Sequence, residues 1–202
     1  GTSVSDPAMG TVVMPPLDTS DDPIRRPVAV FGGGAAGDQG TECDRDKRSG
    51  RAVYVLDMQT GSMLRRFVGY TDASGNWHPF EAPIVGSPTL HDNSPGSLTT
   101  RGFIGDAEGR IYRIDFTDST ANSWDPANWE ITLFFDPSNP PNSQSSLVPS
   151  GETVGPAVVK PAVALSTDDN LVVVYGLGEP GDTTSSTDAQ MMIAVKETSN
   201  AQ

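Results

Sequence analysis

RGFIGDAEGRIYRIDF, residues 101 to 116, reads as two β-strands folded back on each other. GFIG is apolar, RIYRIDF alternates large apolar with polar residues at period two, and DAEG (106 to 109) between them is a compact turn. The same reading extends outward. RAVYVLDMQTGSMLRRF (51 to 67) is a strand, a DMQTG turn and a strand, and WEITLFFD (129 to 136) adds another. LVVVYGLG (171 to 178) and MMIAVKE (191 to 197) repeat the theme. These runs are rich in Val, Ile, Phe and Tyr and bounded by Gly, Asp and Asn, while no stretch carries a sustained apolar stripe at helical spacing.

Three segments look alike. The first joins PVAVFGGG (27 to 34) to RAVYVLDMQTGSMLRRF. The second runs from SPTLHDN (87 to 93) through the central hairpin to WEITLFFD. The third is VGPAVVKPAVALSTDDNLVVVYGLG (154 to 178) followed by MMIAVKE. RAVYVLD, RIYRIDF and QMMIAVK begin at residues 51, 110 and 190, wider than the roughly 40–50 residues of a propeller blade. Loops such as PSNPPNSQSSLVPSGET (137 to 153) and EPGDTTSSTDAQ (179 to 190) account for the excess. Three blades cannot close a ring, since propellers carry about four to eight. The expectation is an all-β chain: a partial β-propeller of about three blades, at roughly 27–70, 83–136 and 154–197, with long inserted loops. An extended or loop segment, 1–26, precedes it and a tail, 198–202, follows.

Composition agrees. Twenty-one glycines and 17 prolines in 202 residues suit short strands and turns. A net charge of −13 repels phosphate backbones and anionic lipid, which excludes nucleic acid as a partner. It serves solubility, and could supply cation sites. No apolar run approaches the roughly 20 residues of a membrane span. The first residues, GTSVSDPAMG, lack the basic and apolar regions of a signal peptide, so either the chain is cytosolic or a signal lies outside this sequence. Cys43 is the only cysteine, so it has no partner within the chain; it is a free thiol or pairs elsewhere.

Gly32, Gly34 and Gly37 are spaced G-x-G-x-x-G, as in a dinucleotide-binding turn, and Asp57 lies where a ribose-binding acid would fall. That turn needs a helix with an apolar face behind its last glycine. DQGTECDRDKRSG offers only Cys43, and its aspartates would repel a pyrophosphate. Gly176, Gly178 and Gly181 recur in the third segment, also without a helix. These are turn glycines.

In order as well as in pieces, the chain resembles the type IV pilus biogenesis and tip-adhesin family (PilY-type), whose C-terminal half is a quinoprotein-like β-propeller. VAVFGGG with RAVYVLDMQTGSMLRRF looks like that family's first recognisable blade. SPTLHDNSPGSLTTRGFIGDAEGRIYRIDF is similar to its Gly-Asp-x-x-Gly stretch, keeping Gly105, Asp106, Gly109, Arg113 and Asp115, with Tyr112 at a tryptophan position. NWEITLFF and VVVYGLGEPGDTTSSTDAQMMIAV follow in the family's order. The resemblance covers roughly residues 27 to 197. It implies a secreted, pilus-associated protein of the outer surface, periplasmic in transit. Implied partners are pilins or minor pilins, a host or matrix surface, or other segments of the same protein completing the propeller.

It also implies a calcium loop whose ligand positions fall on Asp92, Ser94, Gly96 and Thr100. Only Asp92 is a strong oxygen ligand, and calcium wants six to eight oxygens, so the loop lacks most expected donors and HDN reads as an Asx turn. His78 and His91 are too few and too separated for zinc. A related quinoprotein enzyme would cover its cofactor with a disulfide between adjacent cysteines, which one cysteine cannot make. No catalytic residue, cofactor or metal is therefore expected, and the function expected is binding through propeller loops. The alternatives are a fragment of a quinoprotein-like oxidoreductase and a generic extracellular propeller scaffold. Trp129, beside a strand, reads as packing. Trp77 and Trp124, in Asn-, Gly-, Asp- and Pro-rich surroundings, are the candidate partner surface.

Overall fold

The computed structural model describes residues 5–16, 22–35, 50–92, 97–117, 124–140, 147–148, 150, 152–168, 170–178 and 188–197. Among them the chain is all-β, its one helical element being a 3₁₀ turn at Pro126–Asn128 that Asp125 caps. Strands β1 (Ala8–Met14), β2 (Ile24–Gly32), β3 (Val53–Asp57) and β4 (Met63–Phe67) form an antiparallel meander. The hairpin β5 (Gly69–Thr71) and β6 (Trp77–Pro79) follows. A second meander, β7 (Thr89–Asp92), β8 (Thr99–Gly105), β9 (Ile111–Asp115) and β10 (Glu130–Phe135), takes that hairpin onto its β10 edge to make six strands. The third sheet orders β12 (Ala162–Leu165), β13 (Leu171–Leu177) and β15 (Met191–Lys196). Short strands β11 (Thr153–Val154) and β14 (Asp188–Ala189) pair in parallel beside it.

Two differences from the sequence expectation stand out. The sequence places residues 1–26 outside the sheets, yet Ala8–Met14 pairs along its full length with Ile24–Val30. Val12 fills the core while Thr11 and Val13 stay half-exposed, so apart from the small Ala8 the segment buries one side chain where a long apolar alternation would advertise a strand. The hairpin at 69–79 falls between the expected first and second segments, because GYTDASGNWHP is dominated by turn formers.

The second sheet carries two cores. On one face Ile104, Tyr112, Ile114 and Ile131 pack with Val28, Val30, Val53 and Val55 of the first sheet. On the other, Phe103, Ile111 and Phe135 pack with Leu171, Val173, Tyr175 and Ile193 of the third. Adjacent residues thus face opposite cores, which the period-two geometry of a strand provides. The outer sheets have apolar outward faces too. Met9, Ala29, Phe31, Tyr54, Leu56 and Met63 share the register of the first sheet's outer face, with Phe31 stacked on Tyr54 at 5.5 Å. Ala162, Ala164, Val172, Val174, Ala194 and Met192 share that of the third, with Met192 80% exposed.

Backbones meet closely between the second and third sheets. Gly86 donates to the Gly105 carbonyl at 3.1 Å, and the Ala157 amide donates to the Asp106 carbonyl at 2.9 Å. A Cβ on Gly105 would lie 2.5 Å from the Ala157 Cβ, whereas one on Gly176 would meet nothing within 4 Å. Gly105→Ala should therefore cost about 1–3 kcal/mol by forcing the sheets apart, and Gly176→Ala should change stability by less than about 0.5 kcal/mol. Urea denaturation of the two variants checks this; equal midpoints would refute the close-approach account.

Candidate functional site

Three turns share one device. Asp57 accepts the amides of Gln59 (2.7 Å) and Thr60 (3.2 Å), ahead of Gly61 at φ 74°. Asp72 accepts those of Ser74 (2.8 Å) and Asn76 (2.9 Å), around Gly75 at φ 83°. Asp106 accepts those of Glu108 and Arg110, both at 2.9 Å, around Gly109 at φ 78°. In each an Asx turn satisfies amides that the reversal leaves unpaired, and a glycine takes the left-handed position. Asp57 thus serves a turn rather than a ribose.

Asp106 goes further. It is wholly buried, and its second oxygen accepts the Tyr112 hydroxyl at 2.8 Å. Burial pushes its carboxyl up to about 6, against the downward pull of Tyr112, the two amides and Arg110. Arg110 also reaches Glu81 (3.0 Å), Glu108 (2.8 Å) and Asp136 (3.4 Å). The Gly-Asp motif is a structural buttress.

The glycine run is placed likewise. The Gly34 amide donates to the Ile84 carbonyl at 3.0 Å and Gly34 sits at φ 83°. A Cβ at Gly32 would lie 2.9 Å from the Ile84 Cγ2, so the backbones approach too closely for a side chain. Gly178 adopts φ 112°; Gly37, Cys43 and Gly181 lie outside the described residues. The Asp92 carboxylate accepts the Thr99 hydroxyl at 2.7 Å, and Thr99 in turn accepts the Thr11 amide at 3.2 Å, tying β7 to β1. The Thr100 carbonyl accepts the Phe116 amide at 3.0 Å, while Ser94 and Gly96 lie outside the described residues. Among the described residues no group of three His, Cys, Asp or Glu side chains is arranged to hold a metal. His78 on β6 and His91 on β7 occupy opposite edges of the six-stranded sheet, roughly 24 Å apart at about 4.8 Å per strand.

Trp77 stands at the mouth of a groove of about 880 Å³ between the β5–β6 hairpin, β4 and the ends of β9 and β10. Its side chain is 62% exposed and lies over Gly69, where a Cβ would be 2.6 Å from the indole. Side chains fasten the hairpin to the sheet: His78 pairs with Asp72 at 2.9 Å and stacks on Tyr70 at 5.4 Å, which meets Tyr112 at 5.1 Å. Trp129 lines the groove floor, 1% exposed and edge-on to Phe116 at 5.2 Å. Trp124 is half-buried and does not line the groove, so the structure does not bring the two candidate tryptophans together. Of the groove's arginines, Arg65, Arg101 and Arg113, the sequence singles out Arg113 alone, as a residue kept from the PilY-type motif. The one sequence signal of the other two is a charge at core-facing strand positions.

No protein-family model and no curated protein matches the chain. Among solved structures, the crystal structure of the Pseudomonas aeruginosa PilY1 C-terminal domain is similar, with a TM-score of 0.60 and 17% sequence identity. The match covers 99% of this chain and 38% of that one. The chain has the fold of that part of the PilY1 domain. It spans well under half the length of the PilY1 structure. The colinear order of PilY-type motifs thus meets a matching three-dimensional arrangement. No helix among the described residues is long and apolar enough to cross a membrane; this leaves strands out of account.

The Asp72–His78 hydrogen bond, with the turn amides, holds the Asp72 carboxyl down to about 2. A carboxyl lowered from an unfolded value near 3.9 adds stability above that value, and the contribution fades as pH falls through about 2. The Ser74 and Asn76 amide resonances should therefore titrate with a midpoint near pH 2. A midpoint near 4 would show that the hairpin is not locked this way.

Proposed function

We propose that the chain is a non-enzymatic, binding part of a type IV pilus protein, acting in pilus biogenesis or surface adhesion. The observation that carries this is the joint one: PilY-type motifs in colinear order, in a chain with the fold of the PilY1 C-terminal domain over 99% of its length. Binding rather than chemistry is supported by the strongly perturbed groups being engaged in structure: Asp106 and Tyr112 with each other, Arg110 with four carboxylates, the Tyr175 hydroxyl with the Gly109 carbonyl, Asp72 with a turn and His78, and Asp168 with Lys196. Partners are pilins, minor pilins or a host or matrix surface, met at the outer face of the cell after passage through the periplasm. Shearing pili from the source cells and blotting the pilus fraction tests the reading. Enrichment that disappears in a strain unable to assemble pili is expected; recovery only in the soluble secreted or periplasmic fraction would refute it.

In the same reading the three sheets are consecutive blades of a larger propeller, with further strands covering the two outward apolar faces. A sheet with a solvent face alternates apolar with polar residues, whereas residues 28–32 and Leu171–Leu177 are apolar on both faces, the outward faces being interrupted by Arg66 beside Tyr54 and Lys196 beside Val172. The 202-residue chain alone should self-associate through these faces in sedimentation at micromolar concentration. Val174→Lys with Met192→Lys should reduce that association. A wild-type chain that stays monomeric at about 100 μM would count against uncovered blade faces.

A further inference from the structure

Two of the residues lining the groove beside Trp77 carry buried donors without acceptors among the described residues. Among the described residues neither the Arg65 Nε nor the Trp129 indole N–H has a hydrogen-bond partner, and both residues line the groove. An unmet buried donor costs on the order of 1–3 kcal/mol, so such a pair beside one groove marks a place that takes an acceptor. The neighbouring arginines contrast with Arg65. Arg113 is held by Asp115 and Glu197, each at 2.8 Å, and Arg101 by Glu197 at 2.7 Å. Among the described residues Arg65 makes a long contact to the Trp129 carbonyl, 3.5 Å, and lies over the Phe67 ring at 5.3 Å. Among the described residues it is the groove arginine without an ion pair, in a chain of net charge −13.

We propose that this groove binds an acidic sugar, a carboxylate-bearing pyranose unit, with Arg65 as its carboxylate anchor and Trp77 as its stacking platform. Arg65 and the Trp129 N–H are donor-only groups, and a carboxylate is an acceptor-only group that fits a guanidinium fork. A pyranose presents a flat array of C–H bonds on one face and hydroxyls at its rim. The exposed indole of Trp77, backed by Gly69, suits the first; Thr71 and Thr117 at the groove wall can meet the second. A polyphosphate is disfavoured by the chain's overall charge, whereas one carboxylate needs one uncompensated arginine. The groove is of a size usual for small-ligand sites, about 300–1,000 Å³. This binding does not depend on the pilus reading.

Calorimetric titration of the purified chain with galacturonic acid oligomers tests it, with glucose oligomers as the neutral counterpart. Saturable binding of the acidic oligomer alone is expected. Trp77→Ala should weaken it at least about tenfold, as should Arg65→Lys, which keeps the charge but loses the fork. Trp77 is largely exposed and the lysine is conservative, so both variants should retain the wild-type melting transition. Three outcomes would overturn the proposal: no saturable binding at millimolar oligomer, equal binding of the neutral oligomer, or binding untouched by both variants. A carboxylated peptide that competes more strongly than the sugar would overturn it too, reassigning the groove to protein termini.

Discussion

The second sheet has no solvent face, and the rest of the fold answers to that constraint. Its short strands carry large apolar side chains on both sides, so each face needs a cover and each cover is another sheet. Phe103 and Ile104 are neighbours in sequence and belong to different cores. Where the sheets draw together only glycine and alanine fit, which explains Gly86, Gly105 and Ala157 without appeal to function. The same demand passes outward. Val172 and Val174 alternate with Leu171, Val173 and Tyr175, giving the third sheet two apolar faces, of which one is covered here.

Acidity divides between a role in solubility and a role in building turns. Three of the described hairpins reverse through Asp and Gly, and the carboxylates of Asp57, Asp72 and Asp106 accept the amides that the reversal would strand. Asp125 and Asp136 do the same for the amides of Ala127 and Ser138, each at 2.8 Å. Part of the excess of acid over base is thus backbone chemistry. Burying one such carboxylate wholly, as at Asp106, is tolerable because four donors surround it: two amides, a tyrosine hydroxyl and the nearby Arg110. Between the second and third sheets Glu197 does the reverse, one acid bridging Arg101 and Arg113 from the last strand residue's neighbour.

Period two made the central strands legible. RIYRIDF and LVVVYGL show in one dimension what they bury in three, and the Asp-Gly pairs mark the turns between them. Strand β1 was not legible, because it contributes one fully buried valine among half-exposed neighbours and ends at Pro15 and Pro16. The β5–β6 hairpin was hidden for a different reason. Its strands are three residues each, too short for alternation to register, and its attachment to β10 is a single parallel bridge between Thr71 and Thr132. For the site, surroundings rich in Asn, Gly, Asp and Pro single out Trp77 and Trp124 alike, yet Trp77 lines the groove and Trp124 does not, because a groove is made by crossings that no local window contains. Arg65 acquires its meaning only when β4, the 3₁₀ turn and Trp129 come together.

That groove sits where the chain has something extra. Passing from β4 to β7 requires only a crossover from one sheet to the next, yet the chain first makes a hairpin and docks it on the far edge of the second sheet. The hairpin is not loose: Asp72, His78 and Tyr70 fasten it to Tyr112 and so to the buried Asp106. A strained or dispensable loop would not be tied to the most buried polar cluster in the fold. An exposed tryptophan held on so firm a support loses little freedom when something stacks on it, and that low entropic cost is what a recognition residue requires. The sheets set the position of the site, and the inserted hairpin gives it a face.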